Sequence, residues 1–140
     1  MKKYLYAIGF LLCVVAGAAQ KHDYIWLQGY DSDAGEPGIE ASILDFNFSP
    51  VKVDSIRTGG GFFVSSTSIA DQEGVLQFYT DGCDIYNTAH YVMENGDSIN
   101  PGAVHQLQCE EIGYGYTAGR QSSLILPMPG SDSLYYLFHK

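Results

Sequence analysis

Gly74-Val75-Leu76-Gln77-Phe78-Tyr79-Thr80-Asp81-Gly82-Cys83-Asp84-Ile85-Tyr86-Asn87 is the stretch on which the fold turns. Val75 to Thr80 is apolar, aromatic and β-branched, the composition of a strand. Asp81-Gly82 follows at once. Asp can bond its own backbone and Gly accepts a positive φ, so the pair marks a tight turn. Ile85-Tyr86 opens the next strand. Upstream, Asp71-Gln72-Glu73-Gly74 reads as a hairpin turn, and Phe62 to Ile69 as the strand before it. Together they predict a three-stranded meander.

The flanking sequence continues the pattern. Tyr24-Ile25-Trp26-Leu27 is a strand-like run ended by Gly29, and Asp31 to Gly38 is turn chemistry throughout. Ser42 to Phe48 predicts a strand closed by Pro50, and Gly59-Gly60-Gly61 is a break. The stretch from Tyr91 to Gly119 is less regular, and only Val104 to Ile112 has the content for a short helix or strand. Ser122 to Leu126 and Leu134 to His139 predict two more strands about a turn at Pro127 to Asp132. No window of a dozen residues carries a helical apolar period. The fold class expected is therefore all-β. Repeated hairpins suggest β-propeller-like blades, one to two of them, from an incomplete propeller. A small complete β-sandwich is the alternative.

Composition bounds the function. The 140 residues allow one small domain or a piece of a larger one, and exclude an eight-stranded α/β barrel. Seven Lys+Arg against 16 Asp+Glu give a formal charge of −9, so no nucleic-acid surface is expected. With 46% hydrophobic and 14% aromatic residues the chain has the content for a core.

Met1-Lys2-Lys3, the apolar run Tyr4 to Val15 and Ala16-Gly17-Ala18-Ala19 make a signal peptide over residues 1–19, leaving 20–140 as the domain. The run is too short to span a bilayer as a helix. An uncleaved anchor is the alternative. Leu12, not a small residue, precedes Cys13, which argues against a lipoprotein. No later apolar run is long enough to span, so no transmembrane segment is expected after cleavage. Export places the protein outside the cell or on its outer surface. Cys83 and Cys109 then form an even pair in an oxidising compartment and are expected to be joined. Two free thiols too far apart to bridge are the alternative.

Here a resemblance enters. Trp26-Leu27-Gln28-Gly29-Tyr30 and Leu44-Asp45-Phe46 resemble the "W-x-F-G … L-D-F" opening of large exported propeller-like proteins of Bacteroidetes. Gly74 to Asn87 is similar to that family's "G-x-L-x-F-Y-T-D-G-x-x-V-W-N". His90, Met93 and Asn95-Gly96 resemble its "H-x-x-M-x-N-G". Gln121-Ser122-Ser123, Pro127-Met128-Pro129-Gly130 and Tyr135-Tyr136-Leu137-Phe138 resemble its "Q-S … P-x-P-G … Y-Y-x-F". The likeness covers about residues 25–140. It implies a seven-bladed propeller in a longer chain, often with immunoglobulin-like modules and a sorting domain for type IX secretion or gliding. Tyr86 stands where the family has Trp, Cys83 and Cys109 lie outside the pattern, and 97–120 is expanded. The family carries no catalytic set.

The candidate sites are few. Asp31-Ser32-Asp33-Ala34-Gly35-Glu36 partly matches a calcium loop, but Gly35 and Ser42 stand where ligands belong, so it reads as a solvated acidic turn. Cys83, His90, His105 and Cys109 are zinc-type ligands without a recognised spacing, and a disulfide with two loop histidines is preferred. Phe78-Tyr79-Thr80-Asp81-Gly82 reads as a structural turn motif. Trp26 and Tyr79 are expected in the core. Tyr114 and Tyr116, between glycines, are the expected contact residues. No catalytic residue, metal or cofactor is expected. The function anticipated is a non-catalytic module for adhesion, scaffolding or binding of a protein or glycan at the cell surface. The alternatives are a propeller glycoside hydrolase, with Asp45, Asp81 or Asp84 as its acids, and a small lectin-like sandwich.

Overall fold

A computed structural model describes residues 20–29, 40–62, 66–113, 115 and 122–140. The leader 1–19, the acidic turn Asp31 to Glu36 and the tyrosines Tyr114 and Tyr116 lie outside the described residues.

Among the described residues three small antiparallel sheets make up the fold, which fits an all-β class. The first is a meander of β1 (Ile25–Gly29), β2 (Ala41–Asp45) and β3 (Lys52–Ile56), with Ile25 opposite Asp45 and Asp45 opposite Lys52. The second is β4 (Thr67–Ala70), β5 (Leu76–Thr80) and β6 (Ile85–Asn87). The third is the hairpin β7 (Ser123–Pro127) and β8 (Tyr135–His139). A single bridge, Tyr86 to Val92, extends the second sheet past β6. The helix α1 (Ala103–His105) runs into a π-helical segment, Gln106–Ile112, that stops at Gly113 with φ 76°.

The meander from Thr67 to Asn87 follows the reading of the sequence, with Phe62 buried ahead of β4 rather than on it. Two features depart from that reading. β3 was not anticipated, because its residues Lys52 to Ser55 are exposed and carry no apolar alternation. Trp26 is 52% exposed instead of buried. Side chains on a strand alternate between faces, and Ile25 and Leu27 take the inner one. Trp26 lies outside, tilted against Phe46 at 4.9 Å between ring centroids.

The core is small. Leu27, Ala41, Phe62, Tyr79 and Tyr86 are buried together, with Ile43, Ile56 and Leu76 against them. Tyr79 stacks on Tyr86 at 5.2 Å and tilts against Phe62 at 5.4 Å.

The sheets meet through their first strands. Ser66 Oγ donates to the Leu27 carbonyl (3.3 Å), Ser68 Oγ to that of Ile25 (2.6 Å), and the Ala70 N–H to that of His22 (2.9 Å). Residue numbers rise on β4 as they fall on β1, so the two strands run in opposite directions. β4 and β7 behave differently. Thr67 at the start of β4 bonds Ser123 at the start of β7, and the turns after them meet through Gln72 Nε2 and Asp132 Oδ1 at 2.8 Å. The two hairpins therefore lie side by side and point the same way.

Candidate functional site

The Asp81 turn builds an open cleft of about 350 Å³. Asp81 Oδ1 accepts from the N–H groups of Cys83 and Asp84, both at 2.9 Å. Thr80 Oγ1 accepts from the Gly82 N–H and donates to the Asp84 carbonyl. Gly82 has φ 88°, which a side chain would oppose. Asp84 Oδ1 accepts from the Ser98 N–H at 2.8 Å and so anchors the loop after β6.

Two carboxylates share one phenol. The Tyr86 hydroxyl lies 3.3 Å from Asp81 Oδ2 and 3.4 Å from Asp84 Oδ2. Gly60 packs against this group so closely that a Cβ there would collide with Asp81 Oδ2 and the Tyr86 ring. The triple glycine that reads as a mere break in the sequence therefore lets backbone approach a buried acid.

Burial shifts the ionisations. It pushes the Asp81 carboxyl up, against the opposing pull of the two turn N–H groups. Burial raises the Tyr86 phenol too, and the charges of Asp81 and Asp84 add to it. Tyr79 is pushed up to about 12, mainly by burial. Its hydroxyl is 3.0 Å from His90 Nδ1.

Cys83 and Cys109 are joined, with Cα atoms 5.8 Å apart, so the disulfide expected from the cysteine count is present. It ties the π-helical segment to the Asp81 turn. His105 lies against it: one ring nitrogen and the two sulfurs fall within 4.8 Å of one another. Its side chain is 6% exposed, Nε2 faces Glu110 Oε1 at 3.9 Å, and Nδ1 has no hydrogen-bond partner.

Of the four zinc-type residues in the sequence, three converge, while His90 sits on Tyr79. Tyr79 and Thr80 are fully buried, and Phe78 meets Tyr135 edge-on at 5.3 Å. Asp45 is turned onto the backbone and side chain of Asn47, away from this cleft. Gly60 and Glu110 were missed by the sequence reading. Nothing local marks them, since their roles come from contacts across 21 or more positions for Gly60 and from a helical segment for Glu110.

The chain was compared with protein-family models, curated proteins and solved structures, and nothing matches in any of the three.

Proposed function

We propose that the chain is a non-catalytic, exported module of the β-propeller type that serves adhesion or scaffolding at the cell surface. The observation that carries this reading is the third sheet. One face, with Ile125 and Tyr135, turns toward the second sheet, where Tyr135 meets Phe78. The other face holds Leu124, Leu126, Tyr136 and Phe138, paired across the strands as Leu124–Phe138 and Leu126–Tyr136. All four are 43–55% exposed. A contiguous apolar face of this kind marks an interaction surface.

Its occupant is a further β-hairpin of the same pattern. The β4–β5 hairpin already lies beside β7–β8 in the same direction, and repeating that step puts a third hairpin over the open face. Four-stranded blades with equivalent first strands all running one way give this relation. The reversed β1 falls outside it, so the propeller reading rests on β4–β5 and β7–β8. Asp81 supports a structural rather than a catalytic role, because the turn itself occupies its Oδ1. The test is retention on intact cells. The wild-type chain should stay at the surface, and its release to the medium would contradict the reading.

Glycan binding is favoured by one other observation. The exposed Trp26 borders an open hollow of about 310 Å³ with Gln28, Ser66 and Ser68, and a tryptophan face is a stacking platform for sugars. A glycan array probed with wild type and Trp26→Ala tests it. Binding that the variant loses supports it, and no binding by wild type rejects it.

A further inference from the structure

The disulfide and His105 raise a question that the adhesion reading leaves untouched. A buried polar atom without a partner costs on the order of 1–3 kcal/mol. His105 Nδ1 is such an atom, and it belongs to a side chain that packs against the Cys83–Cys109 bond. The other ring nitrogen faces a carboxylate, Glu110, at 3.9 Å. Metal-binding histidines divide their nitrogens in this way, one to the ion and the other N–H to a carboxylate that fixes the ring.

We propose that this cluster is a redox-gated metal site. In the oxidised chain the two sulfurs are bonded to each other and the site is closed. Once the disulfide is reduced, Cys83 Sγ, Cys109 Sγ and the His105 imidazole bind a thiophilic divalent ion of the zinc type. Glu110 orients the imidazole from behind. Two thiolates and one imidazole leave the fourth tetrahedral position open. The three ligands line the same cleft as Asp81, Asp84 and Tyr86.

The reductant is a dithiol. One of its thiolates attacks the half-buried Cys109 sulfur, the S–S bond breaks, and Cys83 leaves as a thiolate. The second thiol of the reductant then attacks the mixed disulfide, closes its own disulfide and frees Cys109. The reductant loses two electrons and the protein gains them. Binding of the ion displaces the remaining thiol protons to solvent. The geometry asks for little movement. The ligand atoms are already within 4.8 Å of one another; the two sulfurs must part, and the imidazole close on them, to the spacing set by Zn–S bonds of about 2.3 Å and a Zn–N bond of about 2.0 Å.

Cobalt(II) is the probe, because thiolate ligation gives a charge-transfer band and tetrahedral geometry a strong visible one. The full chain is reduced anaerobically, freed of reductant and titrated with Co²⁺, then with Zn²⁺ against a chromophoric chelator. The reduced protein should bind one ion per chain with both bands, and the oxidised protein should show neither. His105→Ala should lose at least about tenfold in zinc affinity. Glu110→Gln, altered at an exposed carboxylate, should lose roughly tenfold, the lower end expected of such an orienting group. Circular dichroism follows the fold throughout. The proposal is overturned by a reduced chain without the thiolate band, by equal binding in the oxidised chain, or by His105→Ala binding as tightly as wild type. A reduced chain that unfolds and is not refolded by zinc overturns it too.

Discussion

The Thr67 hydroxyl donates to the Ser123 carbonyl at 2.9 Å, and the Ser123 hydroxyl, also at 2.9 Å, must then donate to Thr67. This pair joins the first strands of two hairpins that are 56 positions apart in sequence. Thr67→Val keeps the shape and removes both bonds. It should lower the unfolding free energy by about 1 kcal/mol, while Thr67→Ser should stay near wild type. Urea unfolding checks both.

The disulfide closes a loop of 26 positions between the Asp81 turn, ahead of β6, and the π-helical segment. On the chain-entropy model a bridge over such a loop contributes about 3.5 kcal/mol. Cys83→Ser/Cys109→Ser should lose most of that, read from denaturant midpoints. In the native protein, thiol labelling under denaturing, non-reducing conditions should leave Cys83 and Cys109 unmodified. Two labelled peptides would remove the bridge from the account.

Asp81 holds its turn with one oxygen and meets Tyr86 with the other. Asp81→Ala should cost about 1–3 kcal/mol, because the buried Cys83 N–H and the part-buried Asp84 N–H lose their acceptor. Asp81→Asn keeps Oδ1 and should cost much less. It should also abolish one pH effect. The fold holds the Asp81 proton more tightly than the unfolded chain does. That contribution is full below the ordinary carboxylate value and is lost as pH rises through the raised one. Thermal melts across the acid range in wild type and Asp81→Asn show the difference.

The meander around Asp81-Gly82 was legible because its turn residues and its apolar run agree. Asp81 bonds within three residues of itself, and Gly82 needs its positive φ locally. The disulfide was legible from the two cysteines that remain once residues 1–19 are read as a leader. Trp26 was misplaced because a tryptophan in a strand-like run suggests burial, whereas its face is set by Ile25 and Leu27 on either side. β3 was invisible because an exposed edge strand has no need of an apolar pattern. The cleft was illegible for a different reason. Gly60 meets Asp81 and Tyr86 across 21 or more positions, and no spacing in the sequence encodes that approach.

Tyr79 and Tyr86 give an alkaline signature. Both phenols are raised from the ordinary value of 10, Tyr79 to about 12. Between those values the unfolded chain has lost a proton that the fold retains. The stabilisation is complete below pH 10 and declines as pH rises through the folded values. Phenolate absorbance should show Tyr79 and Tyr86 among the late-titrating tyrosines, with their ionisation accompanying loss of the near-ultraviolet dichroism. Normal titration of every tyrosine in a folded chain would mean that the Phe62–Tyr79–Tyr86 stack is not formed.

The central claim is that the outer face of β7–β8 is built to be covered by another hairpin. Sedimentation velocity over a range of protein concentrations measures this most directly. Leu124, Leu126, Tyr136 and Phe138 form an uncharged apolar patch on a two-stranded sheet, which favours association despite the acidic charge. The unmodified chain should sediment as concentration-dependent oligomers, and Leu124→Lys/Tyr136→Lys as a monomer with the same circular dichroism. A soluble, sharply melting monomer of the unmodified chain at every concentration would contradict the account.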